Sequence, residues 1–187
     1  GPGGRIVRED VMKAIEEARA AVPLPLELTR AKLIPMSKMR KVIAERMSYS
    51  ARAVPQVTVT TEADMSEVVK LRERLLPDFE RTVGIHMSYT DILIKVVAIA
   101  LREEPIFNSK LEGDQIRLME NINIGVAVEV EEGLIVPVVR DADKKTLVEI
   151  TKSAKQLIER AKEGKLSSSE VSGGTFTITN LGPYGIE

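Results

Sequence analysis

Two runs rich in branched and apolar residues, Ile122 to Val130 and Leu134 to Arg140, are separated only by Glu131-Glu132-Gly133. Such runs joined by a short Gly-containing loop predict a β-hairpin. Pro137 interrupts the second run, and a proline cannot donate to a central ladder. A smaller hairpin is predicted just upstream, with Lys110-Leu111 and Ile116 to Leu118 folded about Glu112-Gly113-Asp114. Around these strands lie segments of helical period. Met39, Val42, Ile43, Ala44 and Met47 share a face within 37–53, a helix would run from Glu67 to Leu76 after a cap at Asp64 or Ser66, and Pro77 would end or kink it. Thr90 and Asp91 are candidate caps for an apolar core helix from Ile92 to Arg102. A further helix from Thr146 to Lys162 places Leu147, Ile150, Ala154, Leu157, Ile158 and Ala161 on one side and ends at Gly164. Val57, Val59 and Thr61 alternate with Thr58, Thr60 and Glu62 as in a strand, and Thr175 to Leu181 alternates likewise. This order of helices and strands predicts an α+β fold with a mixed sheet.

At the N-terminus Val11, Ala14, Ile15 and Ala18 recur at helical spacing, and this helix must stop before Pro23 and Pro25. The segment 22–35 reads as a Pro-rich linker, leaving 36–187 as one domain, and 187 residues are enough for a substantial core.

Composition removes whole classes of chemistry. With 27 Lys and Arg against 28 Asp and Glu, the chain offers no broad positive field for a phosphate backbone, so no nucleic-acid partner is expected. The absence of Cys excludes disulfides, thiolate metal sites and a cysteine nucleophile, and makes an intracellular, cytoplasmic setting the default. The single histidine, His86, leaves too few nitrogen ligands for an ordinary zinc site. A surface or packing role suits it better than catalysis, because neither a nucleophile nor an orienting carboxylate is evident beside it. No apolar stretch reaches the ~20 residues that span a bilayer, and no membrane association is expected. Walker, dinucleotide-glycine, His-Glu-x-x-His and Gly-x-Ser-x-Gly patterns are all lacking.

Four segments stand in a distinctive order: Ile34-Pro35-Met36-Ser37-Lys38-Met39-Arg40-Lys41-Val42-Ile43-Ala44-Glu45-Arg46-Met47, Ser88-Tyr89-Thr90-Asp91-Ile92-Leu93-Ile94-Lys95, Gly133-Leu134-Ile135-Val136-Pro137-Val138-Val139-Arg140-Asp141-Ala142-Asp143, and Gly173-Gly174-Thr175-Phe176-Thr177-Ile178-Thr179-Asn180-Leu181-Gly182. Together they resemble the catalytic core of the dihydrolipoamide acyltransferases of 2-oxo acid dehydrogenase complexes. Residues 1–21 resemble the second half of that family's peripheral subunit-binding domain. The resemblance implies a chloramphenicol acetyltransferase-like mixed sheet flanked by helices, assembled as trimers that build a hollow cage. It also implies acyl transfer between a lipoyl arm, carried on a separate domain, and coenzyme A. The implied partners are the 2-oxo acid decarboxylase, the dihydrolipoamide dehydrogenase and the lipoyl domain.

In such enzymes the substrates meet in a channel between subunits, where a histidine is the general base and a hydroxyl from the facing subunit binds the tetrahedral oxyanion. The resemblance puts that hydroxyl on Thr179, although a threonine alternating in a strand is also ordinary β composition. It gives Arg40 a salt bridge to the acidic residue of the catalytic motif, against the plainer reading of a solvated helix charge. For coenzyme A it points to Arg72 and Ser88, with Glu129, Thr179 and Asn180 completing the polar lining and Arg72 meeting phosphate. Arg72 could equally be an exposed helical charge and Glu129 an outward strand position. The family's base lies in a His-x-x-x-Asp-Gly segment that the sequence does not reach by Glu187. His86 is not in that context, so the base and a further C-terminal part of the core are expected beyond Glu187. A non-catalytic scaffold module of such a complex, or a free-standing small-molecule acetyltransferase, are the rival readings.

Overall fold

The computed structural model describes residues 4, 8–20, 33–131, 133–182 and 185. The chain divides into two compact units, Gly1–Met36 and Ser37–Glu187. In the first, α1 (Arg8–Ala20) opens with Glu9 and Asp10, which complement the positive end of the helix. Its apolar positions Val11, Met12 and Ile15 are exposed. Most of the expected linker, 22–32, lies outside the described residues.

The second unit begins with α2 (Lys38–Ala53), whose N-cap Ser37 accepts the backbone N–H of Arg40. None of its residues is buried. The strand expected at 57–62 does not form: 55–65 is outside any helix or strand, and Val57 and Val59 are 86% and 87% exposed. A period-2 pattern specifies which side chains share a face, but a strand also needs a neighbour for its backbone groups. Among the described residues none runs beside it.

Helix α3 (Ser66–Val83) passes through Pro77 instead of ending there. The proline removes one N–H from the ladder. The turn beyond it is held by packing: Phe79 is buried with Met87 and Ile92, and Leu75, Leu76 and Val83 close around them. Gly84, with φ +68°, caps this helix and turns the chain back along it. The next helix, α4 (Tyr89–Glu103), is capped by Ser88 rather than by Thr90 or Asp91. The Ser88 side chain accepts the Asp91 N–H, while the Asp91 carboxylate accepts the Ser88 N–H, a reciprocal capping box. As its composition suggests, α4 is central: Ile92, Ile94, Ala98 and Leu101 are buried.

After a 3₁₀ turn (Pro105–Phe107), β1 (Ser109–Glu112) and β2 (Gln115–Leu118) form the small antiparallel hairpin. The main hairpin is divided. Strands β3 (Ile124–Val126) and β4 (Val128–Val130) go up, and β5 (Gly133–Ile135) and β6 (Val138–Val139) come down. Ile124 pairs with Val139 and Val128 with Ile135, so one register runs through both pieces. The gap falls at Val136-Pro137, as a residue without an N–H dictates. Helix α5 (Leu147–Lys162), with its own capping box between Thr146 and Glu149, then leads to β7 (Phe176–Ile178), which lies parallel to β3. The resulting order β6-β3-β7 is a mixed sheet. Ile94, Ala98 and Leu101 of α4 and Ile150 and Ala154 of α5 meet Ile124, Val126 and Val139 in the principal core.

Gly125 in β3 faces the opposite side of the pleat, where a Cβ would stand 2.7 Å from Val136 Cγ1 and 3.2 Å from Thr177 Oγ1. Gly125→Ala should therefore cost about 1–3 kcal/mol, a fall of roughly 2–10 °C in Tm by calorimetry. Hydrogen bonds from the Thr146 backbone and then its hydroxyl hold the Glu149 carboxylate below its usual range. A carboxylate depressed on folding stabilises the native state above its unfolded value and loses that contribution as the pH falls through the lowered one. Glu149→Gln should then lower the urea midpoint at pH 7, and the gap to the parent should narrow below the ordinary value of about 4.5.

Candidate active site

The N-terminus of α4, the strand edge after β3, one face of α5 and Asn180 beyond β7 surround a cleft of about 380 Å³. From α4 come Ser88, Thr90 and Asp91; from the sheet, Val126 to Glu129; from α5, Ala154, Ile158 and Lys162; and from beyond β7, Asn180. A smaller lobe of about 270 Å³ shares Ser88, Asp91, Ile158 and Lys162 and adds His86, Thr151, Lys155 and Glu159. The structure thus gathers three of the five residues assigned to coenzyme A by resemblance, Ser88, Glu129 and Asn180.

The position of Asn180 follows from the sheet. The Ala127 N–H donates to Ile178 O, extending the β3–β7 pairing, and two residues further on Asn180 Nδ2 donates to Thr90 Oγ1 at 3.2 Å. The register itself is set by Asn123, 8% exposed: its N–H donates to Thr175 Oγ1, its Nδ2 to Gly173 O, and its Oδ1 accepts the Asp141 N–H. Ser88 is partly occupied by structure, because its hydroxyl donates to Asp91 Oδ2 while accepting the Asp91 N–H. Toward a ligand it retains only acceptor capacity.

Arg72 of α3 reaches the smaller lobe through His86. Its Nε donates to Met87 O at 2.9 Å, its Nη2 to His86 Nε2 at 2.6 Å, and its guanidinium lies 4.7 Å from the Tyr89 ring centroid. Arg72 itself lines neither lobe, and two further expected residues also stand outside the cleft. Thr179 is exposed and does not line it, and Arg40 is exposed on α2, with no carboxylate partner among the described residues. Sequence reasoning missed Thr90, Thr151, Lys155 and Lys162. The signal was present on α5, where Thr151, Lys155, Ile158 and Lys162 recur at spacings of four, three and four. Thr151 is 1% exposed and its Oγ1 has no hydrogen-bond partner among the described residues, so an unsatisfied hydroxyl is buried behind the wall of this lobe.

A wider hollow of about 560 Å³ lies on another face of α5, but its cations are already engaged. Arg140 donates to Ser169 O and Ser172 O, and Arg160 to Lys165 O and the Glu170 carboxylate. The smaller cleft, with Lys155 and Lys162, is the better ligand site.

Residues 29–187 match the model of the 2-oxoacid dehydrogenases acyltransferase catalytic domain. The chain belongs to this family. Among its relatives, the dihydrolipoyllysine-residue acetyltransferase component of the acetoin cleaving system of Bacillus subtilis is 38% identical over 187 residues, covering 100% of this chain and 47% of that protein. The dihydrolipoyllysine-residue succinyltransferase component of the 2-oxoglutarate dehydrogenase complex of Rickettsia felis is 38% identical over 189 residues, covering 99% of this chain and 47% of the relative. The chain therefore spans about half the length of these curated relatives. A crystal structure of a probable dihydrolipoamide acetyltransferase from Listeria monocytogenes superposes with a TM-score of 0.80 at 36% identity, over 84% of this chain and 68% of that one. The cubic core of a pyruvate dehydrogenase multienzyme complex gives 0.80 at 30% identity, over 86% and 68%. The α+β acyltransferase core foreseen from the four sequence segments is the fold observed.

Asn123→Ala would leave the Asp141 N–H and the Gly173 carbonyl without their buried partner, at about 1–3 kcal/mol for each group. A drop in the thermal midpoint together with faster hydrogen exchange across 173–178 is the expected result, measured by calorimetry and exchange mass spectrometry.

Proposed function

We propose that this chain is the core of an acyltransferase that moves an acyl group between a dihydrolipoyl arm and coenzyme A. The observation that carries the reading is the convergence of Ser88, Glu129 and Asn180 on one cleft beside Lys155 and Lys162, within a family of this activity. The cleft fits the ligand's chemistry: the cations suit its phosphates, and Asn180 and Glu129 suit the amides of the pantetheine arm. Arg72 supplies a further guanidinium, half-buried and bound to no carboxylate among the described residues.

In this reading Thr179 donates its hydroxyl to the tetrahedral oxyanion. Its exposure, with Asn180 turned into the cleft and Thr179 outside it, suits a group that serves a channel shared with a neighbouring subunit. The thiol of coenzyme A attacks the thioester carbonyl, a base takes the thiol proton, and collapse of the intermediate expels the dihydrolipoyl thiol. His86 does not supply that base; we assign it to a histidine beyond Glu187. Arg40, exposed on α2, is assigned to an acidic partner outside the described residues. Assembly into trimers and a cage, with the decarboxylase, the dehydrogenase and a lipoyl domain as partners, is part of the same proposal. The bare α2 and the exposed Val57 and Val59 support it, since apolar side chains in an extended segment without a ladder gain most from a neighbouring subunit.

In the full-length protein, acetyl transfer from acetyl-dihydrolipoamide to coenzyme A should be measurable, and Thr179→Ala should reduce turnover about 10²–10³-fold. Unchanged turnover in the variant would remove Thr179 from the mechanism. Full assembly without transfer would favour the scaffold reading.

A further inference from the structure

His86 is the chain's only histidine, and the acyl-transfer reading leaves it without a task. Its geometry gives it one. Gly84, at φ +68°, reverses the chain after α3, so that His86 folds back on the helix it follows. There the ring is held from both sides: Nδ1 lies 2.8 Å from Glu80 Oε1, and Nε2 lies 2.6 Å from Arg72 Nη2. A guanidinium nitrogen can only donate, so Nε2 is the acceptor and the ring proton sits on Nδ1, donated to Glu80. Both neighbours specify the same tautomer.

The consequence falls on Arg72. An arginine has many rotamers, and a cation that must meet a phosphate loses affinity in proportion to the freedom it gives up on binding. Here that freedom is removed beforehand. Met87 O takes Nε–H, the Tyr89 ring lies against the guanidinium, and His86 fixes the Nη2 side. Nη1 and the second Nη2 hydrogen remain without a partner among the described residues, and these donors are the fork a phosphate needs. His86 itself lines the smaller lobe of the cleft together with Lys155, Lys162, Asp91 and Glu159, and so links the fixed guanidinium behind it to the lobe's wall.

We propose that His86, oriented by Glu80, is a positioning residue that locks Arg72 for an anionic phosphate group of coenzyme A. The inference rests on the coenzyme A reading above. It differs from that reading in giving the recognition energy a dependence on an imidazole that need not touch the thiol or the acyl group.

The test is a double-mutant cycle on the full-length protein, with dissociation constants measured by calorimetry for coenzyme A and for pantetheine, which has the thiol arm but no phosphate. His86→Ala should weaken coenzyme A binding about 3–10-fold when Arg72 is present and have no further effect in an Arg72→Met background. Pantetheine binding should not change. His86→Gln, whose side-chain carbonyl reaches the position of Nε2, should restore most of the loss. An equal penalty for His86→Ala in both backgrounds, no penalty at all, or a matching loss of pantetheine affinity would overturn the proposal while leaving the coenzyme A reading intact. Undiminished coenzyme A binding by Arg72→Met, or no binding by the parent, would overturn the reading and this proposal with it.

Discussion

The buried side chain of Asn123 is the junction on which the arrangement of the cleft depends. A primary amide offers two donors and an acceptor in one plane, and here they reach Gly173 on one side and Asp141 on the other, while the backbone of the same residue pairs with Thr175. These bonds bring the Gly173-Gly174-Thr175 turn beside the start of β3 and fix β7 parallel to it. From there the chain has no freedom to choose where Thr179 and Asn180 emerge. Because the amide is buried, the bonds compete poorly with water, and losing any one leaves a polar group stranded.

The cleft is built by elements that also make the core. Strand β3 is buried along its length between α4, α5 and the other strands, and the same helices that cover it present polar residues at their ends and edges. Asp91 shows the overlap: it completes the capping box of α4 and its carboxylate orients the Ser88 hydroxyl at the cleft wall. A residue that serves both the helix cap and the cleft wall ties the geometry of the site to the fold's own energetics. The Arg72, His86 and Glu80 chain is the opposite case, an exposed network around one half-buried cation, with little bearing on the core.

The elements legible in the sequence were those whose signal is local. The hairpin about Gly113, α5 with its Gly164 stop and the break at Pro137 all formed where periodicity and turn chemistry put them. Three local readings were not met. Pro77 did not end α3, because Phe79 and its neighbours pack the turn beyond it; Ser88 capped α4 in place of Thr90, which instead accepts from Asn180; and 57–62 found no strand to pair with. For α3 and for 57–62 the deciding contacts lie outside the local window or are not among the described residues, whereas the Ser88 cap is made by Asp91 three residues on, a Ser-x-x-Asp signal already present in the sequence.

Four ordered segments were enough to identify the family without any coordinates, and with them three of the residues that line the cleft, Ser88, Glu129 and Asn180. The sequence by itself also determined that no cysteine, and at most one histidine, of residues 1–187 could take part. Only the tertiary structure decided which of those residues meet. It turned Asn180 into the cleft and left Thr179 outside, set Thr151, Lys155 and Lys162 of α5 along the smaller lobe, and bound His86 to Arg72 across a reversal of the chain. The physical reason is that periodicity and caps are properties of adjacent residues, whereas a site is a set of side chains brought together by packing and by buried hydrogen bonds between distant segments.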